Sequence, residues 1–292
     1  MRLAIATCAN LPTWEVDDKP FHADLAERGV SVTQIAWDRA DARWEAFDAC
    51  LIRTTWDYQE RRDDFVAWAG RVPRLWNPAP VVRWNTHKSY LRELESRGVP
   101  IVPTVWLDRG TRADVRSLLR WPRADVRSLL RWPRGFIKPC VGSTARETLR
   151  FDDPAVAQRH VDRLLPREDL MLQPYLARVE TEGELSAIFI DGGMTHAVRK
   201  IPVAGDYRVQ DDFGAKDEPW RPTADEAALA RRVVEAAPED LLYARVDFLR
   251  DDAGALCVTE LELVEPSLFF RHARHAATKL ADAVARRLRY VP

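Results

Sequence analysis

The stretch Ala244-Arg-Val-Asp-Phe-Leu-Arg-Asp-Asp-Ala-Gly-Ala-Leu-Cys-Val-Thr-Glu-Leu-Glu-Leu-Val264 decides how the chain is read. Two β-like runs, 244–249 and 256–264, flank Asp251-Asp-Ala-Gly254, which suits a hairpin turn. Side chains two apart on a strand leave the same face, so Glu260 and Glu262 share one, and the hairpin can bring Asp247 alongside them. Three carboxylates on one sheet face repel one another unless cations neutralise them. Such hard oxygen ligands suit magnesium carrying the phosphates of ATP. The Glu-Leu-Glu-Leu alternation also fits a strand with one face in solvent.

Upstream, Gly135-Phe-Ile-Lys138-Pro139 puts a lysine at the end of an apolar run, before the small polar loop Val141-Gly142-Ser143-Thr144. An ammonium beside loop amides suits phosphate oxygens, although the loop is no Walker sequence and a lone strand-end lysine can equally be solvated. Lys88 follows Trp84-Asn-Thr-His87 at an expected helix start, where the amides and the dipole favour an anion. His87 has no second ligand at helical spacing and reads as a capping or packing residue. Leu170-Met-Leu-Gln173-Pro174-Tyr175 is an apolar strand ending in a proline-fixed turn, a shape able to present polar groups to an adenine edge or simply to leave a sheet. Glu184 opens the strand 185–190, where its carboxylate could accept from a ribose hydroxyl or face solvent.

The first third alternates a short apolar run at 3–6, a helix-like stretch with Phe21, Leu25 and Ala26 before Gly29, strand-like runs 30–37 and 49–52, and a helix-like 65–69. This is the pattern of a small open α/β domain. Asn77-Pro-Ala-Pro80 predicts a boundary, with residues 1–76 before it and 77–292 after it, the latter opening on a helix over 88–97. The segment Arg112-Ala-Asp-Val-Arg-Ser-Leu-Leu-Arg-Trp-Pro122 is repeated unchanged as 123–133. Two copies do not make a solenoid, and the prolines predict two short helical pieces.

With 44 Lys and Arg against 45 Asp and Glu, the chain carries no field that would attract nucleic acid or an anionic membrane. Cys8, Cys50, Cys140 and Cys257 are widely spaced, which fits a reducing cytoplasm. The apolar run after Met1 is too short for an export signal or a membrane span. Cys140 has no partner histidine nearby in sequence and reads as a packing residue.

Taken in order, Lys88, Lys138, Gln173-Pro174-Tyr175, Glu184, Lys200, Arg208, Asp247, Glu260 and Glu262 resemble the ATP-grasp superfamily over residues 77 to 270, and the segment before them is similar to its pre-grasp domain. Lys200-Ile-Pro-Val-Ala-Gly-Asp-Tyr-Arg208-Val-Gln210 is similar to a stretch in ribosomal-protein glutamate ligases and bacterial glutathione synthetases. Arg53-Thr-Thr-Trp-Asp-Tyr58, Arg83-Trp-Asn-Thr-His-Lys88, Gly183-Glu-Leu-Ser186 and Glu260-Leu-Glu-Leu-Val-Glu-Pro266 resemble the cycloserine-forming cyclo-ligase group, which acts on O-ureido-serine. Two departures stand out: Glu262 where many relatives carry asparagine, and a single glycine, Gly142, in the loop after Lys138.

The resemblance implies an α/β fold with a small lobe at about 100–175 and a larger one beyond. It implies ATP with two magnesium ions and a carbon–nitrogen ligase that activates a small amino-acid-like carboxylate as an acyl phosphate. Lys88, Lys138, Gly142, Ser143, Gln173, Pro174, Tyr175 and Glu184 would hold the nucleotide, and Asp247, Glu260 and Glu262 the metal. Lys200, Arg208 and Arg245 would serve the transferring group, and Arg53, Ser186, Gln210 and Ser267 the substrate. A kinase that stops at phosphoryl transfer and a nucleotide-binding sensor are the alternative classes. A homodimer is compatible with the sequence.

Overall fold

The computed structural model describes residues 1–11, 16–119 and 134–290. Strands β1 (Arg2–Thr7), β2 (Ser31–Ala36), β3 (Ala49–Thr54) and β4 (Leu75–Trp76) form a parallel sheet in the order β2-β1-β3-β4. Parallel sheets are covered on both faces, and the unbroken apolar run Leu3-Ala-Ile-Ala6 is fully buried accordingly. Leu3, Ile5 and Leu51 pack with Phe21 and Leu25 of α1 (Lys19–Glu27), whereas Ala4, Ala6 and Ile52 pack with Phe65 and Trp68 of α2 (Arg62–Ala69). Strand β4 has only two residues, too few to show a period.

The prolines of Asn77-Pro-Ala-Pro80 do not break structure. They open α3 (Ala79–Asn85), with Pro78 at the cap and Pro80 in the first turn, where the missing N–H costs nothing. The expected helix over 88–97 is shorter, α4 (Tyr90–Ser96), and starts two residues beyond Lys88.

The second sheet is antiparallel, β5 (Val105–Leu107), β6 (Gly135–Pro139), β7 (Leu149–Phe151) and β8 (Leu170–Pro174), in the order β5-β8-β6-β7. Its alternation is clean. Ile137, Leu170 and Leu172 pack against α5 (Val115–Leu118) and α6 (Pro154–Leu164), which leaves Phe136, Lys138 and Gln173 on the opposite face. Gly135 is required where it stands, since a Cβ there would lie 2.2 Å from the Phe151 ring. Helix α5 supplies one short helical piece of the repeat, capped by Asp114, which accepts from the Arg116 and Ser117 amides. The second copy lies outside the described residues.

After α7 (Val179–Glu182), the third sheet combines β9 (Glu184–Ile190), β10 (Gly193–Ile201), β11 (Lys216–Trp220), β12 (Tyr243–Arg250) and β13 (Leu256–Glu262) in the antiparallel order β11-β10-β9-β12-β13. One face is apolar: Leu185, Ala187, Phe189, Val246, Phe248, Leu261 and Leu263 pack with α4 and with Leu229, Ala230 and Val233 of α8 (Ala224–Glu235). The other face is divided. Ile188, Ile190 and Val198 meet the C-terminal helix Arg274–Arg289, which also packs on the first sheet through Leu280 and Val284. The remainder of that face carries charged residues and stays open. Among the described residues no helix is long and apolar enough to cross a membrane.

Candidate active site

The hairpin pairs Asp247 directly with Glu260 and Arg245 with Glu262, so the expected convergence of carboxylates follows from register. A bulge interrupts this ladder: Phe248 pairs with Val258, and Thr259 is the extra residue. Bulges re-aim neighbouring groups, and here the Thr259 carbonyl accepts from Lys138 Nζ at 3.4 Å while its hydroxyl donates to Glu184 at 2.9 Å. Beyond a single parallel bridge of Ile101 to Val258, the outer edge of β13 is covered by side chains. Asn85 and Asn77 donate to the Leu261 and Leu263 carbonyls at 2.7 Å, and Asn85 Oδ1 accepts from the Leu263 amide.

A cavity of about 360 Å³ lies between this charged face and the Lys138 face of the small sheet. Its wall includes Lys88, Lys138, Gly142, Ser143, Gln173, Pro174, Tyr175, Glu184, Lys200, Arg208, Gln210, Arg245, Asp247, Glu260, Glu262 and Ser267. Glu260 Oε1 stands between Lys138 Nζ at 3.1 Å and Lys88 Nζ at 3.5 Å. Burial raises its proton affinity, but the two lysines outweigh burial and hold the carboxyl well below the ordinary range. Lys200 bridges Glu184 at 2.5 Å and Asp247 at 3.3 Å. Gly183 permits that meeting: its φ is +73°, and a Cβ would lie 2.4 Å from the Lys200 carbonyl. Arg245 donates to Asp247 at 2.9 and 3.0 Å and to Glu262.

The expectation of three mutually repelling acids therefore needs correcting, because Lys88, Lys138, Lys200 and Arg245 already compensate them. Glu262 is the least compensated of the three. Burial, with Asp247 and Glu260 beside it, pushes its carboxyl above the ordinary range despite Arg245. Glu265, not anticipated as a wall residue, is pushed up to about 8 by burial and by Glu262.

Two expected substrate residues do not reach the cavity wall. Arg53 is 1% exposed and forks onto Asp18 at 2.8 and 2.9 Å, with a third bond to the Pro266 carbonyl. It joins the first sheet to the loop that follows β13. Ser186 is fully buried and donates to Asp247 at 2.5 Å. Arg53→Ala should accordingly destabilise the fold by roughly 3–5 kcal/mol, because it strands a buried Asp18. Denaturant unfolding would measure this, and a change confined to substrate KM would contradict it.

Other groups are also engaged. Gln173 donates to Thr104 at 2.9 Å and the Tyr175 amide to the Arg134 carbonyl at 3.0 Å, and both residues line the cavity. The Lys88 amide donates to the Cys140 carbonyl, leaving its ammonium as the only anion-binding group it offers. Arg208 forks onto Asp206 and sits 3.9 Å from the Phe213 ring centroid. Cys140 is buried, its thiol pushed up to about 12 by burial, as a packing residue would be. Trp56 and Tyr58 line the cavity from the Arg53–Tyr58 stretch and Tyr207 from the Lys200–Gln210 stretch, and Arg146 lines it without having been singled out. Tyr207 OH bonds Thr148 Oγ1 at 2.9 Å and thereby links the loop before β7 to the loop after β10.

Comparison with known proteins fits this arrangement. Residues 3–77 match the family described as D-cycloserine synthetase DcsG, N-terminal domain. The cycloserine biosynthesis protein DcsG of Streptomyces lavendulae is 32% identical over 98% of this chain and 99% of its own. The crystal structure of D-cycloserine synthetase DcsG superposes with a TM-score of 0.86 at 30% identity, covering 99% of this chain and 100% of that one. A RimK-domain ATP-grasp protein from Sphaerobacter thermophilus shares the fold, with a TM-score of 0.68 at 17% identity over 97% of this chain and 99% of its own. The chain belongs to the D-cycloserine synthetase family and is an ATP-dependent ligase of the ATP-grasp type.

Proposed function

We propose that the cavity binds ATP between the Lys138 face and the carboxylate face, and that the enzyme closes a ring within one small amino-acid-like molecule of the O-ureido-serine kind. The observation that carries this reading is Glu260 held between Lys88 and Lys138, together with full-length similarity to a cycloserine synthetase. Residues 1–76 act as a pre-grasp domain and 77–292 as the grasping module, with the small lobe at about 100–175.

Lys88 and Lys138 would take the α- and β-phosphates, with the Gly142–Ser143 loop closing over them. Tyr175 and Pro174 would pack on the adenine, and Glu184 would accept from the ribose. Magnesium keeps one or two carboxylates and fills its remaining positions with phosphate and water. The hard donors Glu260 and Glu262 would fit it, and Asp247, paired with Glu260 across the hairpin, would be the third. Bound magnesium would neutralise the β- and γ-phosphates. Asp247 has both oxygens held by Arg245, Lys200 and Ser186, so it would join only as Lys200 turns toward the phosphates. Bound magnesium would supply at the acids the positive charge that the lysines supply in this structure, which would leave Lys88, Lys138 and Lys200 for the polyphosphate.

A substrate carboxylate oxygen then attacks the γ-phosphorus and ADP leaves. Lys200, Arg208 and Arg245 offset charge on the moving group, so catalysis is chiefly positioning and electrostatics. A nitrogen of the same molecule attacks the acyl carbon, and phosphate departs. Gln210 and Ser267 would orient that molecule.

Incubation with ATP, magnesium and O-ureido-serine should yield ADP, phosphate and a ring-closed product: closure removes one water from the substrate, and hydrolytic release of the ureido carbamoyl group as carbon dioxide and ammonia leaves cycloserine. A product joining two molecules would reject ring closure.

A further inference from the structure

We infer that Gln59, which stands outside the cavity wall, is a positioning residue that holds the loop 141–148 in the shape that receives phosphate. The inference rests on the reading of that loop given above. One acceptor takes two donors there: Gln59 Oε1 accepts from the Ser143 amide and, at 2.9 Å, from the Ser143 hydroxyl. The Gln59 amide nitrogen donates back to the Trp56 carbonyl at 3.4 Å, and the Trp56 indole donates to the Glu265 carbonyl at 3.2 Å. The first sheet's exit loop thus ties the phosphate loop to the segment that follows β13.

The loop needs such a tie. Beyond Gly142 it has no glycine, yet Thr144, Ala145 and Glu147 have φ of 48°, 54° and 54°, a region that L side chains disfavour. Disfavoured backbone persists only where its surroundings hold it. Within the loop, the Arg146 amide donates to the Ser143 carbonyl at 3.0 Å, and Arg146 pairs with Glu168 at the lobe's own edge. Gln59 is the side chain that reaches it from the first sheet's side. Loss of that acceptor lets the loop sample other shapes, which weakens nucleotide binding without altering the reacting groups.

The test compares Gln59→Ala with Gln59→Glu, which keeps an acceptor oxygen, in the full-length enzyme. Gln59→Ala should raise KM for ATP about tenfold, on the scale of one or two lost hydrogen bonds, and leave kcat within about threefold. Hydrogen exchange of a peptide spanning 141–148 should quicken in Gln59→Ala and stay near wild type in Gln59→Glu. Gln59→Met, which keeps the length of the side chain and removes the acceptor together with the amide nitrogen, answers the same question should Gln59→Ala not fold. Wild-type KM and exchange in the acceptor-less variants would overturn the inference, as would equal impairment in Gln59→Glu. A Lys138→Ala control separates the two layers. Weakened ATP binding there with an indifferent Gln59→Ala rejects the tether alone, whereas unchanged ATP affinity in Lys138→Ala rejects the phosphate site and the tether with it.

Discussion

Glu260→Ala is expected to lower ATP turnover by roughly 10²–10³-fold, on the scale of removing one preorganised group from a charge-stabilising site, while leaving the protein folded. Glu260 touches Lys88 and Lys138 and supports no apolar packing, its side chain being 27% exposed. Its removal has two opposed consequences. A hard oxygen donor is lost, so magnesium is held less firmly against the γ-phosphate. The lysines lose a competitor, so ATP without metal should bind at least as tightly as before. The signature is a fallen kcat with preserved or tightened affinity for metal-free ATP, measured by ADP release and by equilibrium binding. Wild-type turnover would reduce the acids to a solvated strand face.

Lys138→Ala is expected to act in the opposite sense, weakening ATP binding by roughly ten- to a hundredfold, the range for one charge-assisted hydrogen bond. The side chain is 10% exposed and bonds the Thr259 carbonyl and Glu260, leaving the Ile137 core beneath it untouched. Calorimetric titration with ATP and a melting curve would check both halves. Unchanged affinity would remove Lys138 from the site. If both substitutions behave as described, Glu260 and Lys138 form an ion pair whose partners part to serve metal and phosphate.

Period and register made much of this legible in the sequence. Period-two alternation placed Glu260 and Glu262 on one face and the turn at 251–254 aligned Asp247 with them, because both are local properties of a hairpin. The parallel first sheet was visible as apolar runs separated by helical stretches, apart from the two-residue β4. What was not visible depends on distant partners. Arg53 looks like a substrate residue until Asp18 is found beside it, 35 positions away. Asn77 looked like part of a break, yet its amide bonds carbonyls more than 160 positions later. The Thr259 bulge leaves no mark in composition, and Glu265 breaks the alternation that picked out its neighbours. Gln59 carried no motif at all. Compensation by Lys200 was missed for the same reason, since it reaches Asp247 only through the pairing of three strands, whereas Arg245 lies two residues from Asp247 on one strand and was within reach of the period-two rule.

If the substrate carboxylate passes through an acyl phosphate, one of its oxygens ends in the released phosphate. O-ureido-serine labelled with ¹⁸O in its carboxylate would be turned over with unlabelled ATP and magnesium, and the released phosphate analysed by mass spectrometry. Attack of a carboxylate oxygen on the γ-phosphorus, followed by expulsion of phosphate from the acyl carbon, carries one labelled oxygen into each phosphate. Unlabelled phosphate alongside ring-closed product would contradict the account.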